Sequence, residues 1–520
     1  MRKRYQLSAF IMTVFVLLGI TGCGKHEKQV TSVVSSDASF SSETILSSSD
    51  QESLQQSSSS APNNIISEII SNKQDVSSMK TQIITSSDIS SKYELKVVAE
   101  KQTVDIIRQD ADCNRRLVYL KFTNYEGITH KNPKFVYTDA GKTVQRDLAT
   151  IYLNNKVVYD TIWVASTTKS ITGKITDESG KIIWEGTLNI VQGDREHLIK
   201  KSKVYALSEI KPASLRGVNY YPRWTPWSAW TKQKESTWDS EFKEMSEKLN
   251  VNIIRTFAEL WEEDQKFGWC ATPEYLETIS KLFAVADKYK IKVLFCLHSH
   301  LPSQFQGENV RYVRSIMEPF INDGRVFGWD LINEIDSKGL SEVEYIDAFC
   351  QEFNMRMSEF DPNHPNCIGF AYMLEKAGKA GLHFDGPQQF WQYHWYRDMT
   401  ADTIAGVADR YFGKTPFLLG ECGDSSMEGV SDAPRPDTGE DWQLSVYQTI
   451  IPAVIGAKDK GYDIKGVMAW TAFEFPNMLN QETGQGEYGL IRANGELKPA
   501  GKYLGSEFLK LKKSNPAQWD

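Results

Sequence analysis

The stretch Arg325-Val-Phe-Gly-Trp-Asp-Leu-Ile-Asn-Glu334 is an apolar run of strand length that stops on an amide and a carboxylate. A strand buried on both faces reads as a nearly continuous hydrophobic segment, as the strands of a parallel barrel do. Polar residues at the carboxyl end of such a strand point into the mouth of the barrel. The pattern therefore predicts that Asn333 and Glu334 lie in a cleft suited to chemistry.

A second stretch, Pro416-Phe-Leu-Leu-Gly-Glu421, repeats this design with another terminal carboxylate. Two carboxylates that face one cleft from separate strands are the minimum apparatus for hydrolysing a glycosidic bond. One of them needs a raised pKa to donate its proton, and the other must stay charged to attack. Glu334 and Glu421 are therefore the candidate catalytic pair.

From Leu215 to about Lys513, apolar strand candidates alternate with segments whose apolar residues recur at three- and four-residue spacing, such as Pro273 to Lys288. Eight β/α units in about 300 residues match the number of units and the length of a TIM barrel. The fifth unit, with the strand candidate Cys367 to Phe370, is the least distinct. We predict an α/β fold whose catalytic (β/α)8 barrel occupies residues 208–515.

Residues 93–207 consist of short β-rich runs separated by turn signals such as Asn154-Asn155. Alternation of apolar and polar residues within the runs indicates strands with one buried face. The segment is therefore predicted to be a small all-β, immunoglobulin-like sandwich. It is either a carbohydrate-binding module using Trp163 or Trp184, or a spacer packed on the barrel, and we favour the spacer.

The N-terminus has the features of an export signal. Met1-Arg-Lys-Arg is basic, and the apolar run from Leu7 to Ile20 is too short for a permanent membrane span. The tetrad Ile20-Thr-Gly-Cys23 resembles a bacterial lipoprotein cleavage site, with an ordinary secretory peptide as the alternative. We expect a signal peptide over residues 1–22 and a lipid anchor on Cys23 that holds the protein at the extracellular face of a bacterial membrane.

Residues 23–92 are dominated by Ser, Thr, Gln, Asn and Asp, including the run from Ser57 to Ser60. Such a segment cannot bury enough apolar surface to offset the entropy of ordering it. We predict a disordered Ser-rich linker. As a random coil of about 65 residues it would have an end-to-end distance of roughly 40–50 Å.

The composition excludes several other classes of protein. The chain has 520 residues, of which 41% are hydrophobic and 24% charged, as in soluble globular proteins. A net charge of −8 argues against a nucleic-acid partner. Besides Cys23, the six cysteines lack framework-like or zinc-binding spacings and are interpreted as mostly buried thiols. We expect a monomer.

The polar residues that end the barrel strands occur in a characteristic order. They are Arg255 in Ile254-Arg255-Thr256, Asn333-Glu334 after strand four, His394-Trp395-Tyr396 after strand six, Gly420-Glu421-Cys422-Gly423 after strand seven, and Trp470 on strand eight. This set resembles the clan A glycoside hydrolases, the retaining TIM-barrel glycosidases, and most of all family five, the cellulase and mannanase family. A sandwich that runs directly into Leu215-Arg-Gly-Val-Asn219 also resembles the domain order of family two, the β-galactosidase and β-mannosidase family, which leaves exo or endo action open.

The resemblance implies a role for each matching residue. Glu334 would be the acid/base, Glu421 the nucleophile, and Asn333 a hydrogen-bond donor to the sugar 2-hydroxyl. The resemblance further implies that Arg255, His394 and Tyr396 orient and tune the carboxylates, that His298 lines the −1 subsite, and that Trp470 forms its floor.

An aromatic loop, Tyr220-Tyr221-Pro-Arg-Trp224-Thr-Pro-Trp227-Ser-Ala-Trp230, follows the first barrel strand. So many aromatic faces would leave a large apolar patch in water if they had no use. We expect Tyr220 and Trp224 to stack on sugar rings, while packing against the sandwich is a compatible alternative.

Other interpretations of these residues stay open. Glu421 could be a structural partner of Arg255, Glu334 could be an acid at a helix N-terminus, and His298-Ser-His300 could chelate a metal, although few other strand ends offer ligands. The sequence favours a retaining β-glycoside hydrolase that acts on β-linked poly- or oligosaccharide, such as β-mannan or β-glucan, with no cofactor or metal. A glycan-binding surface lipoprotein with a catalytically silent barrel is the alternative.

Overall fold

The structure is a computed structural model. It describes residues 96–101, 115–124, 128–151, 158–193, 196–226, 235–258, 271–297, 313–336, 361–371, 386–396, 399–429, 439–481 and 483–520. The chain divides into two compact units, Met1–Ser91 and Lys92–Asp520, and every described residue belongs to the second. The predicted signal peptide, Cys23, the Ser-rich linker and His298 lie outside the described residues.

Seven strands form the amino-terminal sheet of this unit, in the order β4-β3-β6-β7-β1-β2-β5. They are β1 (Lys96–Lys101), β2 (Arg115–Thr123), β3 (Lys134–Asp139), β4 (Lys142–Asp147), β5 (Val158–Ala165), β6 (Ser170–Thr176) and β7 (Ile182–Gln192). Neighbouring strands are antiparallel except β1 and β7. Strand β7 pairs with β6 through residues 182–189 and with β1 through residues 190–192, so it joins two antiparallel groups.

A buried apolar cluster with residues from both groups, including Phe122, Phe135 and Ile175, holds this sheet together. The sheet also contacts the rest of the unit: the Tyr119 hydroxyl donates to the Ala271 carbonyl at 2.9 Å. The Arg314 guanidinium lies 4.4 Å from the centroid of the Trp163 ring. These contacts support the spacer interpretation, while an immunoglobulin-like form stays a prediction.

Nine parallel strands form a nearly closed barrel, in the order β12-β11-β10-β9-β8-β16-β15-β14-β13. They are β8 (Leu215–Asn219), β9 (Ile253–Phe257), β10 (Lys292–Cys296), β11 (Val326–Asp330), β12 (Asn366–Cys367), β13 (Gly369–Phe370), β14 (Trp391–Trp395), β15 (Phe417–Cys422) and β16 (Ile464–Ala469). Every neighbouring pair is parallel.

The barrel has nine strands where the sequence predicts eight, and the difference arises at the fifth unit. Strands β12 and β13 have two residues each and are separated by the single residue Ile368. Strand β12 pairs with β11, whereas β13 pairs with β14. One short segment therefore spans the gap between the two edges of the sheet.

The described helices include α1 (Glu235–Glu244), α2 (Pro273–Lys288), α3 (Ala401–Val407), α4 (Gly439–Asp459) and α5 (Pro499–Ser514). Helix α2 has the predicted bounds, and its N-cap Thr272 accepts a hydrogen bond from the Tyr275 amide at 3.2 Å. Pro273 follows the cap, where its missing N–H is not needed. None of the described helices combines the length and apolar character needed to cross a membrane.

The two ends of the barrel differ in polarity. Apolar residues at or near the amino ends of the strands, such as Leu215, Ile253 and Phe327, form one buried cluster. At that end the fully buried Arg216 donates to both carboxylate oxygens of Asp520. The buried thiols Cys296, Cys367 and Cys422 confirm the interpretation of these cysteines, and the other predicted thiols lie outside the described residues.

Candidate active site

The carboxyl ends of the barrel strands bring polar side chains together at the opposite end. Asn219 ends β8 and pairs in register with Arg255 in β9. His394 in β14 pairs in register with Glu421 in β15. Asp330 ends β11. Because the strands are parallel, these side chains converge at one mouth of the barrel, as predicted for Arg255, His394 and Glu421.

Arg255 is the hub of this cluster, and its side chain has no exposed surface. Its Nη1 donates to Glu421 Oε1 at 2.6 Å and to Asn219 Oδ1 at 3.0 Å. Nη2 donates to Asn333 Oδ1 at 2.6 Å, and Nε donates to Asp330 Oδ2 at 2.7 Å. The planar guanidinium thereby positions four partners at once, which an ammonium group could not do.

Arg255 is a fixed positive charge. Burial acts to lower its pKa, but the negative charges around it, Asp330 foremost, outweigh burial and hold the pKa well above its ordinary value. The guanidinium also lies 4.5 Å from the centroid of the Phe257 ring. A permanent cation in contact with Glu421 favours the charged form of that carboxylate.

Glu421 is 5% exposed, and each of its oxygens accepts a hydrogen bond. Oε1 accepts from Arg255, and Oε2 accepts from the Tyr396 hydroxyl. Burial is the largest effect and holds the pKa of Glu421 above its ordinary value, although His394, Arg255 and the Tyr396 hydrogen bond act to lower it. Burial, followed by the nearby Glu421 charge, holds the pKa of Tyr396 well above its ordinary value, so the phenol stays a donor.

Glu334 has a different environment. Its Oε1 lies 2.9 Å from His394 Nδ1, and its side chain is 18% exposed. Burial, followed by the negative charge of Asp336, raises the pKa of Glu334 to about 7, although Arg255 opposes the shift. Glu334 thus keeps its proton at a pH where an ordinary glutamate has lost it.

The backbone of Glu334 lies in the left-handed region, with φ of 40°. A non-glycine residue held there stores on the order of 1–3 kcal/mol of strain, which functional sites are known to tolerate. Glycine would relieve this strain but would remove the carboxylate. The strain is consistent with a position that the chemistry of the site determines.

Glu334, His394 and Glu421 each offer one ligand atom, and these atoms lie within 4.8 Å of one another. His394 Nδ1 is also 3.5 Å from Glu421 Oε2. Burial lowers the pKa of His394 to about 4 against the opposing charge of Glu421, so the ring is neutral at pH 7. Within the described part of the chain, this group is also the one that could hold a metal ion.

Trp470 belongs to a small buried aromatic cluster, against which Tyr396 packs, and is 4% exposed. Its ring stands edge to face against Tyr221 at 6.0 Å and Phe257 at 6.3 Å between centroids. Its peptide bond to Thr471 is cis. Phe257 contacts both the Arg255 guanidinium and the Trp470 ring, so it lies between these two side chains. The role of Trp470 as the floor of a subsite stays a prediction.

Tyr220 does not face the cleft, which differs from the contact with sugar predicted for it. Its side chain is fully buried, and its hydroxyl donates to Glu241 Oε2 at 2.6 Å. Side chains alternate along an extended chain. Asn219 points into the barrel mouth, Tyr220 points outward to α1, and Tyr221 again turns to the aromatic cluster. Counting this alternation from Asn219 predicts that Tyr220 points away from the barrel mouth and that Tyr221 points to the aromatic cluster, where it is 3% exposed.

Trp224, the other predicted aromatic contact, is 53% exposed. Its backbone carbonyl accepts a hydrogen bond from Asn477 Nδ2 at 3.0 Å. An exposed indole on the loop that follows β8 is available to a ligand, and stacking on sugar stays a prediction.

Sequence reasoning selected Arg255, Asn333, His394 and Tyr396 for this site, and the structure brings them into contact with Glu334 or Glu421 or with each other. It did not select Asp330 or Gln392, both of which are fully buried beside Arg255 and His394. A charged residue at the end of an apolar strand was the available signal for Asp330. Gln392 carried no such signal.

No protein-family model matches this chain, and no curated protein matches it in sequence. Solved structures similar to it include a β-glucuronidase of Bacteroides uniformis, which is 12% identical over 79% of this chain and 50% of that chain, with a TM-score of 0.45. This chain therefore spans about half the length of that protein. A β-glucuronidase of Lactobacillus rhamnosus is 15% identical over 80% of this chain and 68% of that chain, with a TM-score of 0.41. One from Ruminococcus gnavus, in complex with D-glucuronic acid, is 14% identical with the same coverage and a TM-score of 0.42.

Proposed function

We propose that this chain is a retaining β-glycoside hydrolase in which Glu421 is the nucleophile and Glu334 is the general acid and then the general base. The observation that carries the proposal is the pair itself. The Glu334 and Glu421 ligand atoms lie within 4.8 Å of each other. Burial raises the pKa of both groups, but Glu421 accepts hydrogen bonds from a cation and a phenol, whereas the described partner of Glu334 is the neutral ring of His394. Retaining glycosidases separate their carboxyl groups by about 5–5.5 Å, whereas inverting ones need roughly 6.5–9.5 Å to admit a water.

In the first step, a Glu421 oxygen forms a bond to the anomeric carbon while the bond from that carbon to the leaving oxygen breaks. The bonding electrons go to the leaving oxygen, which takes the proton of Glu334. In the second step, the Glu334 carboxylate removes a proton from water, the water oxygen attacks the anomeric carbon, and Glu421 departs as a carboxylate. Net retention follows from two inversions.

The neighbouring side chains suit these two roles. Hydrogen bonds from Arg255 and Tyr396 stabilise the charged form of Glu421, as a nucleophile requires. Glu334 lacks such donors from a cation or phenol in the described contacts, and its raised pKa suits an acid. Because Asn333 Oδ1 accepts from Arg255, the donor that Asn333 would offer to a sugar hydroxyl is its Nδ2.

The substrate we propose is a β-linked oligo- or polysaccharide. The resemblance of the motifs to family five supports a β-mannan or β-glucan, and the similar solved structures are β-glucuronidases. A test on mannan, mixed-linkage glucan, cellulose and aryl β-glycosides of mannose, glucose and glucuronic acid distinguishes these. We also propose that lipid on Cys23 anchors the enzyme to the cell surface.

We expect hydrolysis of at least one of these substrates with retained anomeric configuration, observed by proton NMR before the product mutarotates. The Glu334→Ala, Glu421→Ala double variant is the control for contaminating activity. A first-formed product of inverted configuration would contradict the mechanism. Tight glycan binding by wild-type protein without hydrolysis of any substrate would instead establish the alternative, a glycan-binding lipoprotein with a silent barrel.

The pH dependence of kcat/KM follows from the pKa of Glu334. Because this pKa is raised to about 7, the acid is protonated below that pH and loses its proton above it. For substrates with poor leaving groups we therefore expect kcat/KM to fall above about pH 7. Measuring kcat/KM over a pH series at constant ionic strength tests for this fall, which is the basic limb of the pH profile.

A dinitrophenyl glycoside is the matched control for that limb, because its leaving group departs without a proton. Its kcat/KM should show no fall at the pH where the other substrates lose activity. An identical basic limb for both substrates would assign the titration to a group other than the acid.

A further inference from the structure

Gln392 lies in β14, two residues before His394 and on the same face of the strand, and its side chain is fully buried. Its Nε2 donates to Asp330 Oδ2 at 3.0 Å and lies 3.3 Å from His394 Nε2. Its Oε1 accepts from the Cys367 thiol at 3.5 Å. Gln392 therefore connects the ion pair of Arg255 and Asp330 to the histidine between the two glutamates.

These partners determine which way the Gln392 amide points. The Asp330 carboxylate, paired with Arg255, has only acceptor atoms, so the amide must face it with its NH2 group. The thiol of Cys367 completes the arrangement by facing the amide oxygen. The second NH2 hydrogen is then directed at His394 Nε2, which must act as an acceptor.

The two strands beside β14 fix the position of the amide by packing. A Cβ atom placed on Gly420 of β15 would lie 2.3 Å from Gln392 Cγ. A Cβ atom placed on Gly369 of β13 would lie 2.8 Å from Gln392 Nε2. Glycine at both positions leaves just the space that the amide fills, so Gln392 has little freedom to rotate away.

The orientation of Gln392 decides where His394 carries its proton. A neutral imidazole has one N–H, and if Nε2 accepts then the proton is on Nδ1. Nδ1 faces Glu334 Oε1 at 2.9 Å. Because Oε1 accepts this hydrogen bond, the acidic proton of Glu334 is left on Oε2. In the opposite tautomer, the Nδ1 lone pair would draw the Glu334 proton away from a leaving group.

We propose that Gln392, held by Asp330, is a positioning residue that fixes the Nδ1–H tautomer of His394 and so keeps the acidic proton of Glu334 on Oε2. The consequence for catalysis rests on the proposed function, whereas the tautomer itself does not. The same proton occupies the Nδ1 lone pair that a metal ion would need, so the arrangement also disfavours metal binding among these three groups.

The test compares Gln392→Leu with Gln443→Leu in the full chain labelled with 15N-histidine. Gln443 is another fully buried glutamine, whose Nε2 donates to the carbonyls of Asp424 and Tyr488 at 3.0 Å each, so its loss controls for a missing buried amide. The His394 signals are assigned from their absence in His394→Gln.

In wild-type protein we expect a protonated Nδ1 and a bare Nε2 at His394, and the same in Gln443→Leu. Gln392→Leu should show a mixture of tautomers or the reverse one. A bare Nδ1 in wild-type protein would overturn the proposal without any variant, so it remains falsifiable even if Gln392→Leu does not fold. An unchanged His394 tautomer in Gln392→Leu would overturn it as well.

The activity measurement separates positioning from stability. We expect Gln392→Leu to lower kcat/KM about 10- to 100-fold on substrates that need a proton, as loss of such supporting contacts does in other sites. Dinitrophenyl glycosides should be nearly unaffected, and Gln443→Leu should leave the ratio of the two substrates unchanged. Equal losses on both substrates would contradict a role through Glu334. A wild-type chain that hydrolyses nothing would count against the proposed function alone, and the NMR result would still decide the tautomer.

Discussion

Replacing Glu421 by alanine is expected to remove nearly all turnover of every substrate, because the proposed mechanism needs its carboxylate to form the covalent intermediate. Loss of a nucleophile that acts as a unit with its neighbours costs on the order of 10⁴–10⁶-fold in kcat. The change also leaves the Arg255 guanidinium and the Tyr396 hydroxyl without their acceptor. Initial rates on the best substrate of the panel measure the effect.

Replacing Glu334 by alanine should have a selective effect. Substrates with poor leaving groups need its proton and should lose most of their turnover, whereas dinitrophenyl glycosides should form the glycosyl-enzyme almost as fast as before. The intermediate should then accumulate because the base for the second step is gone. The release of dinitrophenolate over time should therefore show a rapid burst followed by slow steady-state turnover.

Azide distinguishes the two roles by stereochemistry. The small anion can occupy whichever carboxylate site has been emptied. With Glu334→Ala it should attack the glycosyl-enzyme and give a glycosyl azide of retained configuration. With Glu421→Ala it should attack the substrate directly and give the inverted azide. Proton NMR determines the anomeric configuration of each glycosyl azide.

Glu241→Ala is the matched control for these variants. Glu241 is another buried glutamate, and its partners are the Tyr220 hydroxyl and the Arg223 backbone amide, away from the candidate site. Its loss should lower stability but preserve activity and the retained product. Near wild-type rates in both Glu334→Ala and Glu421→Ala would show that the roles are assigned wrongly.

The candidate catalytic pair could be predicted from the sequence because its strands are apolar throughout and then end on polar residues. Asn333-Glu334 and Glu421 each end such a run, and parallel strands deliver their carboxyl ends to one mouth. Arg255 was selected because a buried charge needs partners nearby. These predictions depend only on local pattern. In the structure Arg255 contacts Asn333 and Glu421, and His394 lies between Glu334 and Glu421.

Other features depend on contacts that a local pattern does not contain. Gln392 reads as a polar residue within a strand, and only Asp330, 62 positions away in the chain, and the two flanking glycines reveal what it does. Tyr220 was predicted to contact sugar, but the extended chain after β8 keeps its alternation and directs this side chain to Glu241 instead. The fifth strand divides at Ile368 because its two halves pair with different neighbours.

Replacing Arg255 is expected to have the second largest effect, on both stability and catalysis. In Arg255→Met, the buried carboxylates of Asp330 and Glu421 lose the cation that pairs with them. Breaking a buried pair by removing one partner costs about 3–5 kcal/mol of unfolding free energy. Denaturant unfolding followed by tryptophan fluorescence measures this loss.

Arg216→Met is the matched control, because Arg216 is equally buried but pairs with Asp520 at the other end of the barrel. It should lower the free energy of unfolding by a similar amount. Since no described contact joins it to Glu421, the pH profile of any protein that remains folded should not change. A comparison of the two variants at low temperature therefore separates a general loss of stability from a local electrostatic effect.

The direction in which Arg255 shifts the pKa of Glu421 predicts how the pH profile of Arg255→Met should change. Arg255 acts to lower the pKa of Glu421, so removing the guanidinium raises that pKa, and the nucleophile becomes charged only at higher pH. In Arg255→Met the acid limb of kcat/KM should therefore move to higher pH. The basic limb set by Glu334 should move in the same direction, because Arg255 acts to lower the pKa of Glu334 as well. Arg255→Lys should return part of the stability by restoring the charge. Its compact ammonium cannot reach Asp330, Asn219, Asn333 and Glu421 together, so activity should recover less than stability does. An acid limb that stays in place in Arg255→Met would mean that Arg255 supports the fold without tuning the nucleophile.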